Sequence, residues 1–368
     1  MSIRWRGITG IVTLAAFAVA LMSCGSSSRP AGVLFVTTQG STLVNSFGIN
    51  LKSGVLSQIS TGAGTESAPG PILLDPTGDF AFVLNTGSNS ISTYTVNSNG
   101  SLSAASGSVT TGTLPIAMAM DSAGHFLVVA NQGSNNVSVF SISSTSLTPV
   151  SGSPFATGEP PTPVSPDLPA PAGVTISSDN FVYVANQGQD TVSVFSIDPT
   201  TGKLTEIAGS PYNVGTSPTG MLATITANSV QVLYVGNEGS NNVSAFVINS
   251  DGTLTAVTNS PFSAGLGPVA IASEPTHNFL YVVDANSNEV SAFRMNTGSG
   301  ALTALNPATV STGARPVSIA VHPDGLFLYT ANVGSDNLSA FSITVQSGVL
   351  VAVQTVATSS RPAGIALK

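Results

Sequence analysis

Short runs of apolar residues, separated by polar turns, extend over almost the whole chain. A clear example occupies residues 173–204, where Val, Ile, Tyr, Phe and Thr form the runs and Gly, Asn, Asp and Pro separate them. Such runs are typical of β-strands, and no helical period of three and four residues is found among them. The pattern predicts an all-β protein built from short strands.

This segment is one copy of a repeat, and the copies are counted by the aromatic residue that ends the third strand of each. Seven such residues recur at intervals of 46 to 55 residues: Phe47, Tyr94, Phe140, Phe195, Phe246, Phe293 and Phe341. A period near 50 with several short strands per copy is typical of propeller blades. We therefore expect a seven-bladed β-propeller with four-stranded antiparallel blades.

The two ends of the repeat region complement each other. The first copy begins at its second strand, residues 33–38, and lacks the Pro-x-Gly-Ile-Ala stretch that opens the other copies. That stretch occurs instead at residues 361–368, Arg-Pro-Ala-Gly-Ile-Ala-Leu-Lys. The last strand is thus predicted to pair into the first blade, closing the ring and hiding sheet edges that would otherwise invite aggregation.

The N-terminal residues have the pattern of an export signal. Arg4 and Arg6 precede an apolar run at residues 8–22, which is too short to cross a bilayer as a helix. The run ends in Leu-Met-Ser-Cys, which resembles the bacterial lipoprotein signal, with cleavage before Cys24 and lipid attachment to it. The alternative is that Cys24 is an ordinary residue near a cleavage site.

This interpretation divides the chain into a signal peptide at 1–23, a Ser-rich tether at 24–32 and a propeller at 33–368. The protein is then expected to be exported and held in the bacterial cell envelope by lipid on Cys24. Because Cys24 is the only cysteine in the chain, no internal disulfide can form.

Composition excludes several partners. The formal net charge is −8, and loss of the two arginines of the signal peptide makes the chain more acidic still. An acidic surface without a basic cluster argues against nucleic acid and anionic headgroups as ligands. Only 7% of residues are charged although 42% are hydrophobic, as expected where blades bury both faces of each sheet. We expect a monomer that touches the membrane only through its lipid.

Antiparallel connectivity assigns the loops to two faces. In each blade, the turns between strands one and two and between strands three and four lie on one face, which we call the bottom. The remaining loops lie on the other face, the top, where the Pro-rich insertion at 157–171 is predicted. All three histidines, His125, His277 and His322, fall in bottom turns of different blades. We therefore expect no metal and no cofactor.

An asparagine recurs at the end of the second strand of most copies, namely Asn85, Asn131, Asn186, Asn237 and Asn332. A residue repeated in this way serves the blade rather than one site. We expect its side chain to bond the backbone of the turn that follows.

Sequences such as Tyr234-Val-Gly-Asn and Tyr329-Thr-Ala-Asn, followed by Gly-Ser-Asn-like loops, resemble the strand repeat of the lactonase-type seven-bladed propellers. That family includes 6-phosphogluconolactonase of the propeller type. The resemblance implies a top-face site built from a Pro-Arg-His stretch, a Tyr-Val-x-Asn-Glu stretch and a Pro-Arg pair. Glu238 completes the second element, whereas Pro218-Thr-Gly220 stands where the first would be.

The candidate catalytic residues follow from this comparison. Glu238 is the only glutamate at its position, where we aligned Gly87, Gln132, Gln187 and Val333 in other copies. Glu238 would activate water, and Arg315 or Arg361, with Arg29 as a further candidate, would stabilise the oxyanion if the side chains converge. The alternative is that the arginines are ordinary loop residues and Glu238 is simply solvated.

Two functions remain open from the sequence. The first is hydrolysis of an unphosphorylated lactone outside the cytoplasm, without a cofactor. The second is a non-catalytic propeller on the cell surface that binds a protein or polymer partner through its top face.

Overall fold

The computed structural model describes residues 32–158 and 168–368. Within these residues the chain forms strands only, and no described segment is a helix long and apolar enough to cross a membrane. The predicted leader, Cys24, Arg29 and most of the tether lie outside the described residues.

The strands have the following bounds: β1 Val33–Thr38, β2 Leu43–Ile49, β3 Leu56–Gly64, β4 Pro69–Leu74, β5 Phe80–Asn85, β6 Ser90–Val96, β7 Leu102–Thr110, β8 Pro115–Met120, β9 Phe126–Asn131, β10 Asn136–Ser143, β11 Ser146–Pro149, β12 Phe155–Ala156, β13 Pro171–Ile176, β14 Phe181–Asn186, β15 Thr191–Ile197, β16 Leu204–Glu206, β17 Tyr212–Asn213, β18 Pro218–Ile225, β19 Gln231–Asn237, β20 Asn242–Ile248, β21 Leu254–Ala256, β22 Phe262–Ser263, β23 Pro268–Ser273, β24 Phe279–Asp284, β25 Glu289–Met295, β26 Leu302–Ser311, β27 Pro316–Val321, β28 Phe327–Asn332, β29 Asn337–Ile343, β30 Leu350–Ala357 and β31 Pro362–Leu367.

These strands make seven antiparallel sheets, each a four-stranded meander whose strands we call a to d from the centre outwards. The outermost strand is divided into two short segments in blades 3, 4 and 5. The a strands contact one another in a closed cycle: β31, β4, β8, β13, β18, β23, β27 and again β31. The predicted seven-bladed propeller is confirmed.

The C-terminal strand completes blade 1, as the sequence predicted. β31 pairs with β1 in antiparallel register, with Leu34 opposite Leu367 and Val36 opposite Ile365. Ile365 is buried in the apolar cluster between blades 1 and 7. The ring is therefore closed by both ends of the propeller within one sheet.

Neighbouring blades are also joined by tyrosines in the b strands. The hydroxyls of four buried tyrosines donate to a glycine carbonyl in the c–d turn of the next blade over 2.6 to 3.3 Å: Tyr183 to Gly252, Tyr234 to Gly300, Tyr281 to Gly348 and Tyr329 to Gly54. The last bond joins blade 7 to blade 1. Burial raises the pKa of each phenol, so each stays protonated and can donate.

The recurring asparagine bonds differently from our expectation. In blade 5, Nδ2 of Asn237 donates to Asn242 Oδ1 at 2.7 Å and to Ser244 Oγ at 2.9 Å, both on strand c. Its Oδ1 accepts the N–H of Gly215, in the loop that enters the blade. The prediction that this side chain bonds the turn that follows is wrong, because the buried amide lies over the neighbouring strand. The amide thus ties together three segments of one blade.

Blade 6 has a carboxylate where blades 2 to 5 and 7 have this amide, and blade 1 has Thr38 there. Asp284 replaces the asparagine and is fully buried, and Glu289 stands where blade 5 has Asn242. Oδ2 of Asp284 accepts from Ser291, whereas Oδ1 has no partner among the described residues. Burial, together with the charge of Glu289, raises the pKa of Asp284 to about 7. A cost in stability is therefore expected at this point in the ring.

Deleting residues 361–368 should lower the free energy of unfolding by several kcal/mol. The truncation leaves β1 unpaired and exposes apolar area at about 25 cal/mol per Å². Urea denaturation measures the loss. As a control, Lys368→Ala removes only the half-exposed ion pair with Asp79 and should change little. An unchanged denaturation midpoint for the truncated protein would contradict the closure.

Asp284→Asn should stabilise the protein increasingly as the pH rises. Because the folded-state pKa of Asp284 lies above its ordinary value, its contribution to stability is complete below about pH 4 and is lost as the pH approaches 7. Asparagine has no such titration and supplies a donor towards Glu289. Each unit of pKa shift corresponds to about 1.4 kcal/mol, so the gain at pH 8 over pH 4 should reach several kcal/mol.

Thermal melts at pH 4 and pH 8 compare this variant with Asn237→Asp, which places the same carboxylate in blade 5. That second variant should lose stability over the interval in which Asp284→Asn gains it. Equal effects of Asp284→Asn at both pH values would show that the pKa of Asp284 is not raised in the folded protein.

Candidate functional site

The top face is built from the same backbone bond in all seven blades. The residue after strand b donates its N–H to the carbonyl of the residue before the proline that opens strand a, over 2.8 to 3.2 Å. The pairs are Gln39 to Arg361, Thr86 to Ala68, Gln132 to Leu114, Gln187 to Ala170, Glu238 to Ser217, Ala285 to Gly267 and Val333 to Arg315. Thr86 rather than Gly87 is therefore the counterpart of Glu238 in blade 2, and our alignment there was one residue off.

The residues before the prolines all adopt positive φ, between 44° and 70°. For residues other than glycine this conformation is unfavourable, so it persists only where neighbouring groups bond the backbone. The N–H of Arg315 donates to Asn288 Oδ1 and that of Arg361 to Asp336 Oδ1, each at 2.6 Å and each from the preceding blade. Each arginine is thus held by its backbone, with its N–H bonded to the preceding blade and its carbonyl bonded to the residue after strand b of its own blade.

Glu238, Arg315 and Arg361 line one cavity of about 460 Å³ at the top of the central channel. All seven blades contribute to its lining. The structure therefore brings together three of the candidate residues, which come from blades 5, 7 and 1. Arg29, the remaining candidate, lies outside the described residues.

Apart from Pro71, the residues that line the cavity form two layers. We call the residues that follow the b strands, together with the two arginines, the upper ring: Gln39, Thr86, Gln187, Glu238, Val333, Arg315 and Arg361. We call the residues that follow the opening prolines of the a strands the floor ring: Gly70, Ile116, Ala172, Thr219, Val269, Val317 and Ala363. Charge is confined to the upper ring.

Within the upper ring, Glu238 is half-buried and its carboxylate is within reach of one amide. Gln187 Nε2 lies 3.5 Å from Glu238 Oε2, and Gln187 Oε1 in turn accepts from Gln132 Nε2 at 3.0 Å. Both arginine side chains are exposed, and in the described part of the chain neither pairs with a carboxylate. The carboxylate and the two cations therefore share the cavity without neutralising one another.

The sequence comparison noted Gln187 only as a counterpart of Glu238 and did not identify Gln39 as a lining residue. Both could have been identified from the sequence, because each stands directly after strand b, at the position that Glu238 has in blade 5. Their amides add uncharged donors and acceptors to the upper ring.

Thr219 occupies the place where the family resemblance implies the arginine of Pro-Arg-His. Its hydroxyl donates to the Pro268 carbonyl of the next blade at 3.1 Å. The cations of this cavity therefore stand before the opening prolines, at Arg315 and Arg361, rather than after one. Chemically, the site offers a carboxylate that can accept a proton and cations that can stabilise a developing oxyanion.

The histidines lie on the opposite face from this cavity, in the a–b turns. His322 is buried, and its Nδ1 is 2.9 Å from a carboxylate oxygen of Asp324 in the same turn. No group of three or more potential metal ligands is found among residues 32–158 and 168–368.

The flanks of the Pro-rich insertion meet the top of blade 4. Thr157 Oγ1 donates to Asn186 Oδ1 at 2.8 Å, and the N–H of Gly158 donates to Ser193 Oγ at 2.8 Å. Residues 159–167 lie outside the described residues, so the position of the insertion itself stays a prediction.

Comparison with known proteins places the chain in a family. The family model "Lactonase, 7-bladed beta-propeller" matches residues 55–166, 159–255 and 224–368. A search of curated proteins finds no match.

Solved structures with the same fold cover almost the whole chain. A Bacteroides fragilis protein provisionally described as a 6-phosphogluconolactonase has a TM-score of 0.81 at 20% identity, covering 93% of this chain and 99% of its own. The periplasmic gluconolactonase of Pseudomonas aeruginosa has a TM-score of 0.78 at 21% identity, covering 91% and 98%. At these identities the likeness concerns the fold. With a family model that spans most of its length, the chain belongs to the lactonase family of seven-bladed β-propellers.

Proposed function

We propose that the protein hydrolyses an unphosphorylated lactone in the cavity at the top of the propeller. The observation that supports this most directly is that Glu238, Arg315 and Arg361 line the same space and form no ion pair with any residue that the structure describes. Membership of the lactonase family gives the reaction class. The departure of Glu238 from its own repeat singles out the carboxylate.

In the proposed reaction Glu238 takes a proton from a water molecule as the water oxygen bonds to the lactone carbonyl carbon. The carbonyl oxygen becomes an oxyanion, which a guanidinium of Arg315 or Arg361 stabilises. Collapse of this intermediate breaks the ring C–O bond, and the departing ring oxygen receives the proton from Glu238. The product is a hydroxy acid, whose carboxyl group ionises in water.

Each residue suits its role in this scheme. Arginine keeps its charge at any physiological pH, so either guanidinium is available to the oxyanion throughout. The amide of Gln187 lies 3.5 Å from Glu238 Oε2 and can orient the carboxylate within the cavity. Among the described residues only Arg315 and Arg361 are cations in the cavity, so at most one is left for a phosphate group when the other stabilises the oxyanion, which supports an unphosphorylated substrate.

We further propose that the reaction takes place outside the cytoplasm, with the protein held to a membrane by lipid on Cys24. The support is the Arg-flanked apolar run and the single cysteine placed directly after it. The similar Pseudomonas aeruginosa protein is described as periplasmic, which agrees with export. Residues 24–32 would then be the tether between lipid and propeller.

Glu238→Gln should lower the rate of lactone hydrolysis by about 10² to 10⁴, because it removes the proton acceptor and nearly keeps the shape of the side chain. Initial rates over a panel of unphosphorylated lactones measure the effect. Glu206→Gln is the matched control, since Glu206 is exposed on an outer strand and lies outside the cavity. Melting temperatures of both variants should equal that of the parent.

Two outcomes would contradict this assignment in different ways. A Glu238→Gln protein as fast as the parent would reject Glu238 as the base and leave the reaction class standing. A parent protein inactive on every lactone would instead favour the alternative function, a non-catalytic propeller that binds a partner in the cell envelope.

Cys24→Ser should abolish acyl labelling and release the protein from the membrane fraction. The hydroxyl of serine does not replace the thiol that receives the lipid. Metabolic labelling with a fatty acid, followed by fractionation, tests both effects. Ser23→Ala is a suitable neighbouring control and should keep the label. Unchanged partitioning of Cys24→Ser would refute lipid anchoring.

A further inference from the structure

The cavity changes in polarity with depth. Five of the seven residues of the upper ring have charged or amide side chains, whereas the floor ring contains no charged or amide side chain. Three of its members have branched aliphatic side chains, Ile116, Val269 and Val317, and these are only half-buried. Their accessible carbon atoms therefore face the space that the substrate would occupy.

The hydroxyl groups in the lining do not offset this apolar character, because their hydrogens are already used. Thr219 donates to the carbonyl of Pro268 at 3.1 Å, and Thr86 donates to the carbonyl of Pro115 at 2.8 Å. Both bonds run to the next blade and hold the hydroxyl against the wall. The side chains of the floor ring therefore offer no free donor to a ligand.

We propose that the substrate is a lactone that carries an alkyl substituent, which lies on the floor ring while the lactone carbonyl lies between Glu238 and the two arginines. This inference rests on the proposed lactone hydrolysis and specifies its substrate class.

The physical reason is the difference in free energy between removing water from polar hydroxyls and removing it from an alkyl chain at the floor ring. The hydroxyls of a sugar lactone placed on the floor ring would lose water and gain no side-chain donor, with the Thr219 hydroxyl oxygen as the one side-chain acceptor of this ring, which is unfavourable for buried polar groups. An alkyl chain placed there instead removes apolar surface from water on both sides. The cavity volume of about 460 Å³ is within the usual range for small ligands and exceeds what a lactone ring alone would fill.

The charges at the mouth fit the same orientation. Hydrolysis of the ring bond produces a carboxylate, and Arg315 and Arg361 are the cations of the cavity. With the alkyl chain below, the new carboxylate and hydroxyl face the upper ring and the solvent. The product can then leave through the open top without burying its charge.

The test compares kcat/KM of the parent protein on 4-alkyl γ-lactones of increasing chain length with kcat/KM on glucono-δ-lactone. Each added methylene should raise kcat/KM about fourfold until the floor ring is covered. The sugar lactone should be the poorer substrate. A faster sugar lactone, or no dependence on chain length, would overturn the proposal while leaving lactone hydrolysis intact.

Binding separates this proposal from the proposed reaction. Calorimetric titration of Glu238→Gln with the same alkyl lactones should show the same rise in affinity with chain length. If no lactone is hydrolysed by the parent but alkyl lactones bind in this order, the reaction is wrong and the apolar floor stands. If neither hydrolysis nor binding is seen, both fail.

Variants of the floor ring locate the effect. Val269→Thr combined with Val317→Thr keeps the side-chain volumes but adds hydroxyls, so the dependence on chain length should flatten and kcat/KM for the longest good substrate should fall about tenfold. Val351→Thr, on an exposed outer strand, is the matched control and should keep the dependence. An unchanged dependence in the double variant would place the alkyl chain elsewhere.

Discussion

Closure of the ring is the constraint on which the rest of this structure depends. Each blade buries both of its faces against neighbours, and the a strands form an uninterrupted cycle around the channel. Blade 1 is completed only when β31 pairs with β1. Without this pairing two blades would lose a neighbour, and the cavity at the top would lose part of its wall, since Arg361 and Ala363 belong to the closing segment.

Because seven blades repeat one plan, residues that depart from that plan are the first candidates for a role beyond the fold. Glu238 departs at a position that otherwise holds uncharged residues, and it points to the proposed reaction. Asp284 departs in a different way, since it replaces an amide that each neighbouring blade uses for internal bonds. One departure leaves a half-buried carboxylate in the wall of the cavity, while the other buries a carboxyl group away from the cavity at a cost in stability.

Much of the fold was predictable from sequence, because the pattern of one blade occurs seven times and each copy supports the others. The repeat gave the number of blades, and the incomplete first copy gave the closing strand. The misaligned Gly87 was avoidable, because the shared asparagines Asn85 and Asn237 already place Thr86 opposite Glu238, and the backbone bond from Thr86 to Ala68 agrees with this. By contrast, the partners of Asn237 lie on an adjacent strand that local sequence does not reveal.

The site was predictable in part. Glu238 was identified because it differs from its repeat and matches a family motif. The sequence could not establish that Arg315 and Arg361 line the same cavity as Glu238. Their placement depends on positive φ angles and on hydrogen bonds to Asn288 and Asp336 of the preceding blades. The polarity difference between the two rings is also a property of three dimensions, as their members are far apart along the chain.

The backbone before each opening proline has a consequence for how such proteins diversify. At these positions the N–H and carbonyl groups make the supporting bonds, and the side chain takes no part in them. The seven blades accordingly accept Ala, Leu, Ala, Ser, Gly, Arg and Arg there within one chain. A single substitution can thus add or remove a cation at the mouth without disturbing a blade, so ligand preference can drift between relatives faster than the scaffold that displays it.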